Sequence, residues 1–332
     1  MKLRFLSEQE VYHHLPMSEC MEVMAETLKT LARGQGVNPL RTALRFPDGT
    51  GLLGLMPAYL AEPPCTGLKV VTVMPGNHGT PYDSHQGLVL LFELEHGCPV
   101  ALVEGSSVTA VRTAAVSGVA TERLARSDAS TLAILGSGVQ ARTHLQAMLV
   151  ARNLTEVRVW SRTEAHARAF AEAQSQAHGL EIRVAGSARE AVEGADLICT
   201  TTSAKEPVLE GAWLSPGAHI NAVGACFAPY RELDTAAVVA ARLFVDRRES
   251  ALNEAGDFLI PKKEGAIGDD HIVGELGEVL LGQVEGRRSE RDITLFKSLG
   301  IGVEDLGAAY YLYRKAEQEN LGRLIEWGGP AR

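Results

Sequence analysis

Long apolar runs are missing from this sequence. No stretch approaches the roughly 20 residues that a membrane-spanning helix requires. The amino terminus, MKLRFLSEQEV, lacks a signal-peptide apolar core and soon turns acidic. Cysteine is sparse: the five residues at 20, 65, 98, 199 and 226 are odd in number and scattered, with no CxxC, and there is no HExxH. Neither a disulfide framework nor a zinc site is expected, and no other metal. Positive charge is in deficit, with 32 Lys and Arg against 41 Asp and Glu and a net charge of −9. That argues against a general nucleic-acid binder, which must neutralise phosphates, but it allows a local basic pocket for a small anion. The expectation is a cytoplasmic globular protein without nucleic-acid or membrane partners.

What is present is ordinary globular composition, 45% hydrophobic and 22% charged, in 332 residues. That length suits two domains. SEQE at 7–10 is a capping box, with Ser7 capping a helix start and Glu10 reaching back. A second helix is predicted over 18–33, with Met21, Met24, Leu28 and Leu31 on one stripe and Gly34 as its stop. The period then changes. LRTALRF, LLGLM, LKVVTVM and LVLLFELE are strand-like runs broken by Gly and Pro. LVLLFELE–HGCP–VALVE reads as a hairpin turning near His96 and Gly97. Residues 1–105 therefore read as α+β with a mainly antiparallel sheet. The segment 107–126 reads as a helix rich in Ala, Ser, Gly and Val, open to close approach by other backbone.

From Thr131 strands and helices alternate through TLAIL, EVRVW, EIRV, DLICT, AHINAV and RLFVD, the pattern of a doubly wound parallel sheet. The Gly- and charge-rich stretch 261–291 reads as loop and short helix, and a final helix is predicted over 303–319. There is no internal repeat and no low-complexity segment.

TLAILGSGVQA at 131–141 places Gly136-x-Gly138-x-x-Ala141 directly after an apolar strand and at a helix start. Gly136 permits the tight turn, Gly138 the close approach of a pyrophosphate, and Ala141 the packing of helix on strand. An ordinary βα turn is the competing reading. The second strand, EVRVW, ends in Ser161-Arg162-Thr163, where an NAD-selective site usually carries an acid for the ribose 2′-hydroxyl. A guanidinium and two hydroxyls suit a 2′-phosphate. NADP(H) is thus expected over NAD(H), with NADH possible. A solvated Arg162 beside Glu164 is the alternative.

MPAY (56–59), GLK (67–69), SHQ (84–86), TAVRTAA (109–115), LGSGVQA (135–141), HINAVG (219–224), GELGEV (274–279) and LFKSLG (295–300) together resemble the ornithine cyclodeaminase/μ-crystallin family, in order and over nearly the whole chain. The resemblance implies a Rossmann domain over 121–299 inserted in a substrate-binding and dimerisation domain formed by 1–120 and 300–332. It also implies a nicotinamide cofactor, a small imino-acid or amino-acid substrate and a homodimer. Arg41, Lys69 and Arg112 lie in apolar or small-residue stretches, where a buried charge is costly unless paired. A structural ion pair is the competing reading for each, weakest for Arg112, whose own helix offers mainly Ala, Val and Thr. The resemblance assigns these cations to the substrate carboxylate or the nicotinamide end. Lys69 and Arg112 become catalytic candidates, with Lys69 the candidate acid, since a Lys among cations can have a lowered pKa. His85 and Gln86 are implied as pocket-lining, although a lone His is often structural. Implied cofactor contacts are Ser84, His85, Arg112, Thr113, Gly136, Ser137, Gly138, Val139, Gln140, Ser161, Arg162, Thr163, Thr202, Ser203, Val223, Gly224, Lys297 and Ser298.

Two departures sharpen the expectation. Ornithine cyclodeaminases carry one acid just before the Met-Pro pair, where this chain has Gly54. They carry a second two residues after the glycine of NAVG, where it has Cys226. Cyclodeamination needs a positioned acid/base to assist amine attack and expel ammonia. Family alanine dehydrogenases also keep the second acid. What remains is an NADPH-dependent ketimine reductase, reducing C=N in substrates such as Δ1-piperideine-2-carboxylate or Δ1-pyrroline-2-carboxylate to L-pipecolate or L-proline. The alternatives are an amino-acid dehydrogenase or reductive aminase, an ornithine cyclodeaminase, and a non-catalytic NADPH-dependent carrier of hormone type. No basic residue near Cys226 in sequence would activate it as a nucleophile. Asp305 reads as an acid at a helix N-terminus or behind the site. Glu254 and Asp257 either line a pocket or lie in a solvated loop.

Overall fold

The computed structural model describes residues 1–77 and 79–328. The chain forms two units, residues 1–112 with 300–332, and residues 113–299.

The first unit is built on one sheet. Its strands are β1 (Lys2–Leu6), β2 (Gly36–Val37), β3 (Thr42–Arg45), β4 (Leu52–Ala61), β5 (Pro64–Val73), β6 (His85–Phe92) and β7 (Pro99–Glu104), together with the strand Arg323–Glu326. The order runs from Arg323–Glu326 through β1, β7, β6, β5 and β4 to β2, with β3 also on β4. Only β1 and β7 pair in parallel; the other pairs are antiparallel, as the sequence predicts. The expected hairpin joins β6 to β7 and turns through Gly97, at φ +70°. Glu93 ties that turn by accepting from the Cys98 and His96 amides.

Alternation along β4 buries Leu52, Met56, Ala58 and Leu60. The predicted second helix is Met17–Ala32, and it buries Met21, Met24, Leu28 and Leu31. The helix Gly302–Glu319 buries Leu306, Ala309, Leu312 and Ala316. These two helices approach closely at Gly307, where an added Cβ would collide with the Thr27 hydroxyl. The capping box also forms, with Glu10 accepting from the Ser7 amide at 2.8 Å.

The second unit holds β8 (Thr131–Leu135), β9 (Glu156–Trp160), β10 (Ile182–Val184), β11 (Leu197–Thr200), β12 (His219–Ala222), β13 (Ala241–Val245), β14 (Ile272–Glu275) and β15 (Ile293–Lys297). They order as β10-β9-β8-β11-β12-β15-β13-β14, all pairs parallel. This is the doubly wound sheet expected from strand–helix alternation. Leu132, Ala133, Ile134 and Leu135 are fully buried, as a central parallel strand covered on both faces requires.

The stretch 261–291 departs from the expected loop and short helix. It contributes a strand, β14, paired in parallel to β13, followed by the helix Leu276–Leu280. Four residues, IVGE, are too short for alternation to signal a strand. Among the described residues no helix is long and apolar enough to cross a membrane.

Candidate functional site

In the second unit the glycine loop has the geometry its sequence predicts. Gly136 sits at φ +121°, and a Cβ there would stand 2.8 Å from the Thr201 carbonyl oxygen. Only glycine fits that backbone against its neighbour. Its amide bonds the Trp160 carbonyl at 2.8 Å, locking the end of β8 to the end of β9. Gly138 is the N-cap of the helix Val139–Ala151, and a Cβ there would meet nothing within 4 Å. A diphosphate can therefore reach that helix N-terminus and its unpaired amides. Ala141 is fully buried against the strand. Beyond β9, the Ser161 hydroxyl stands 3.1 Å from that of Ser137, and Arg162 and Thr163 are exposed at the start of the helix Glu164–His178. These residues fit a dinucleotide: glycines where its phosphates approach, and a cation with hydroxyls at the second strand end.

The loops after β11 and β12 carry Thr202, Ser203, Val223 and Gly224. Their shape is set by an acid that the sequence does not advertise. Glu232 is fully buried, and its carboxylate accepts from the Thr200 hydroxyl (2.8 Å), the Thr202 amide (2.7 Å) and hydroxyl (2.6 Å), and the Gly224 amide (2.6 Å). Burial and the Asp257 charge raise its pKa. The nearby Lys297 charge and the hydrogen bonds from Thr202 oppose that rise and favour the charged form. Gly224 is obligatory, since a Cβ there would overlap the Thr202 carbonyl oxygen.

Behind this loop, Asp257 accepts from the Glu232 and Leu233 amides and pairs with Lys297 at 3.1 Å. Asp257 is 2% exposed, which corrects the solvated-loop alternative. The Lys297 ammonium also donates to the Ala222 carbonyl. Burial disfavours its charge, but Asp257, Cys226 and Glu232 outweigh that and raise its pKa. The structure thus commits Lys297 to protein partners, and it buries the neighbouring Ser298. Cys226 is half-buried, its thiol 3.3 Å from the Val223 carbonyl oxygen. It has a cation near it in space that no sequence neighbour provides. Thr113 is buried. Val139 and Gln140 open the first turn of their helix.

In the first unit the three predicted cations gather with two acids. Lys69 lies on β5 and is 4% exposed; Arg112 is 3% exposed. The Lys69 Nζ lies 3.1 Å from Asp305 Oδ1, and Arg112 Nε donates to the same oxygen at 2.8 Å. Arg112 Nη1 also donates to Glu304 Oε2 at 2.6 Å. Both acids stand in the first turn of the helix Gly302–Glu319, where the helix dipole favours negative charge. The ion-pair reading, weakest for Arg112 in the sequence, does apply to it, with partners from the far end of the chain. Gly300, at φ +73°, lies against the Arg112 guanidinium, and its carbonyl accepts from Arg41 at 3.2 Å. Arg41 is only half-buried, just before β3.

Lys69 feels these charges directly. Burial is the largest effect and lowers its pKa; Asp305 opposes this, Arg112 and Arg41 add to it, and the result is about 8. His85 opens β6, with Ser84 Oγ 3.0 Å from its Nδ1. Crowding by protein and then the Lys69 charge hold its pKa below the usual value. Gln86 is exposed beside it.

The arrangement therefore combines a buried ammonium of lowered pKa with two guanidiniums in the first unit, and a glycine loop open at a helix N-terminus in the second. Of the acids that balance the cations, Asp305 and Asp257 are among those the sequence singled out, and Glu304 and Glu232 are not.

The chain matches the profile of the ornithine cyclodeaminase/mu-crystallin family over residues 1–320. It is 43% identical over 313 residues to the ketimine reductase mu-crystallin of Mus musculus, covering 93% of this chain and 96% of the mouse protein. Its structure superposes on the Thermococcus litoralis Δ1-pyrroline-2-carboxylate reductase in complex with NADH and L-proline at TM-score 0.94 and 40% identity, over 96% of this chain and 99% of that one. An archaeal alanine dehydrogenase dimer with bound NAD superposes at TM-score 0.93 and 31% identity, over 99% and 100% of the two chains. The chain belongs to the ornithine cyclodeaminase/mu-crystallin family.

Proposed function

We propose that this protein is an NADPH-dependent ketimine reductase that converts cyclic imine carboxylates to cyclic amino acids. Δ1-Piperideine-2-carboxylate and Δ1-pyrroline-2-carboxylate are its substrates, giving L-pipecolate and L-proline. The observation that carries this reading is the cluster of Arg41, Lys69 and Arg112 with Glu304 and Asp305. The three cations of this cluster suit a small substrate carboxylate by charge-assisted hydrogen bonding. Arg112 and Arg41 hold that carboxylate through charge-assisted hydrogen bonds. Lys69 gives its proton to the imine nitrogen as C=N becomes CH–NH. Bound NADPH supplies the hydride. The names of the mouse and Thermococcus relatives support the same chemistry.

NADPH is preferred over NADH because Arg162, flanked by Ser161 and Thr163, stands at the strand end where an acid would select NAD. Gly54 and Cys226 favour reduction over cyclodeamination, since neither supplies the acid that reaction needs. The protein works as a homodimer, as the dimeric alanine dehydrogenase relative suggests. The exposed Leu44, Tyr59 and Leu88 of the first sheet support a covered face.

The test is consumption of NADPH with Δ1-piperideine-2-carboxylate, followed by absorbance. Rapid turnover is expected. No consumption at any pH, with ammonia released from ornithine instead, would sink the reading. Comparing cyclic imines with an oxo acid plus amine separates it from a reductive aminase. Light scattering of the purified protein reads the dimer.

A further inference from the structure

We infer that Asp305 is the positioning residue of the proton-transfer step, holding the Lys69 ammonium aimed and charged through a single carboxylate oxygen. The inference rests on Lys69 being the proton donor of the proposed reduction.

The geometry divides the two acids between two tasks. Asp305 is fully buried, and its Oδ1 alone receives both Lys69 Nζ and Arg112 Nε. Glu304 bonds Arg112 from the other side, at Nη1. Lys69 is faced by Asp305 from the helix Gly302–Glu319, by Arg112 from the helix Gly105–Leu124, by Arg41 from the segment before β3 and by His85 from β6. Asp305 is the leading negative group acting on Lys69, and it bonds the ammonium directly. Burial, with Arg112 and Arg41, favours the neutral amine, which has no proton to give. An acid must be protonated at working pH, and the carboxylate beside it is what keeps Lys69 in that state. Because the same oxygen also fixes Arg112, the direction of the proton donor and that of the carboxylate clamp are set together.

Asp305→Asn tests this cleanly. Asp305 Oδ2 accepts no hydrogen bond, so an amide NH2 in its place meets no competing donor. The amide oxygen can still receive Lys69 and Arg112, and only the charge is removed. Two readouts are needed: the alkaline limb of kcat/KM, and the titration of Lys69 itself by NMR on 13C-labelled lysine. Both should move to lower pH by about one unit or more, the usual effect of an adjacent opposite charge. At pH 8, where the parent limb falls, that shift costs about fivefold in rate. NADPH affinity should stay near the parent value, while the melting temperature falls because two buried cations lose a counter-charge.

A limb and a Lys69 titration that do not move in the folded variant would overturn the inference. Should Asp305→Asn fail to fold, Asp305→Glu keeps the charge but displaces it. It should then show the parental limb with lowered kcat, and a parental kcat would equally overturn the positioning role. The NMR titration needs no substrate. A protein that ignores cyclic imines yet shows the Lys69 shift would defeat the proposed substrate and leave the Asp305–Lys69 coupling standing.

Discussion

Arg112 and Glu304 are joined by a 2.6 Å ion pair although 192 residues separate them, and both are buried. A helix in the middle of the sequence is thereby tied to the first turn of the last long helix. Removing one partner of a buried pair leaves an uncompensated charge and costs about 3–5 kcal/mol. Glu304→Ala should therefore lower stability strongly, read as an earlier midpoint in urea. An unchanged midpoint would mean that Arg112 finds another counter-charge.

Lys69 gives the pH dependence its sign. Its folded pKa is lowered to about 8, and the acid form is the one that donates. The kcat/KM for imine reduction should accordingly be level below that value and fall as pH rises through it. Lys69→Met should bind NADPH normally, by fluorescence titration, while turnover drops by about 10²–10⁴-fold, the usual worth of a general acid. A variant that turns over like the parent would remove Lys69 from the mechanism.

Cofactor choice rests on Arg162. Losing a hydrogen bond to a charged partner costs about 1.5–3 kcal/mol. Arg162→Ala should raise the KM for NADPH by about tenfold or more and leave that for NADH nearly unchanged. Equal effects on both would assign Arg162 a general role instead of recognition of the 2′-phosphate.

Cys226→Ala should change NADPH-dependent reduction by less than about threefold, since the thiol makes one weak hydrogen bond, to the Val223 carbonyl. A large loss would give this position its own part in the chemistry, with Lys297 as the neighbouring cation.

The legible parts of this protein are those whose signal is local. The strand–turn–helix at 131–151 could be read because Gly136 and Gly138 do their work within a few residues of each other. The antiparallel meander of the first sheet could be read because turns such as Gly97 follow the strands they join. Lys69 and Arg112 stood out as charges in apolar stretches. Their partners did not, because Glu304 and Asp305 look like ordinary first-turn acids until the fold brings them across roughly two hundred residues of chain. Glu232 was hidden, and the role of Asp257 was left open, for a different reason. Glu232 sits in a loop and Asp257 at the start of a short helix, and both accept from main-chain amides, which leave no mark in a sequence. β14 escaped because its pairing to β13 is parallel and non-local.

The anchoring of the loop after β12 has a consequence for how such a fold changes its chemistry. Glu232 grips that loop through the Gly224 amide, and Lys297 grips it through the Ala222 carbonyl. Both grips are on main chain, so neither depends on the side chain at 226. That position can exchange a thiol for a carboxylate while the loop keeps its path. The backbone at position 226 is therefore held from both sides by contacts that do not involve its own side chain, so the residue there can vary without a rebuilt scaffold.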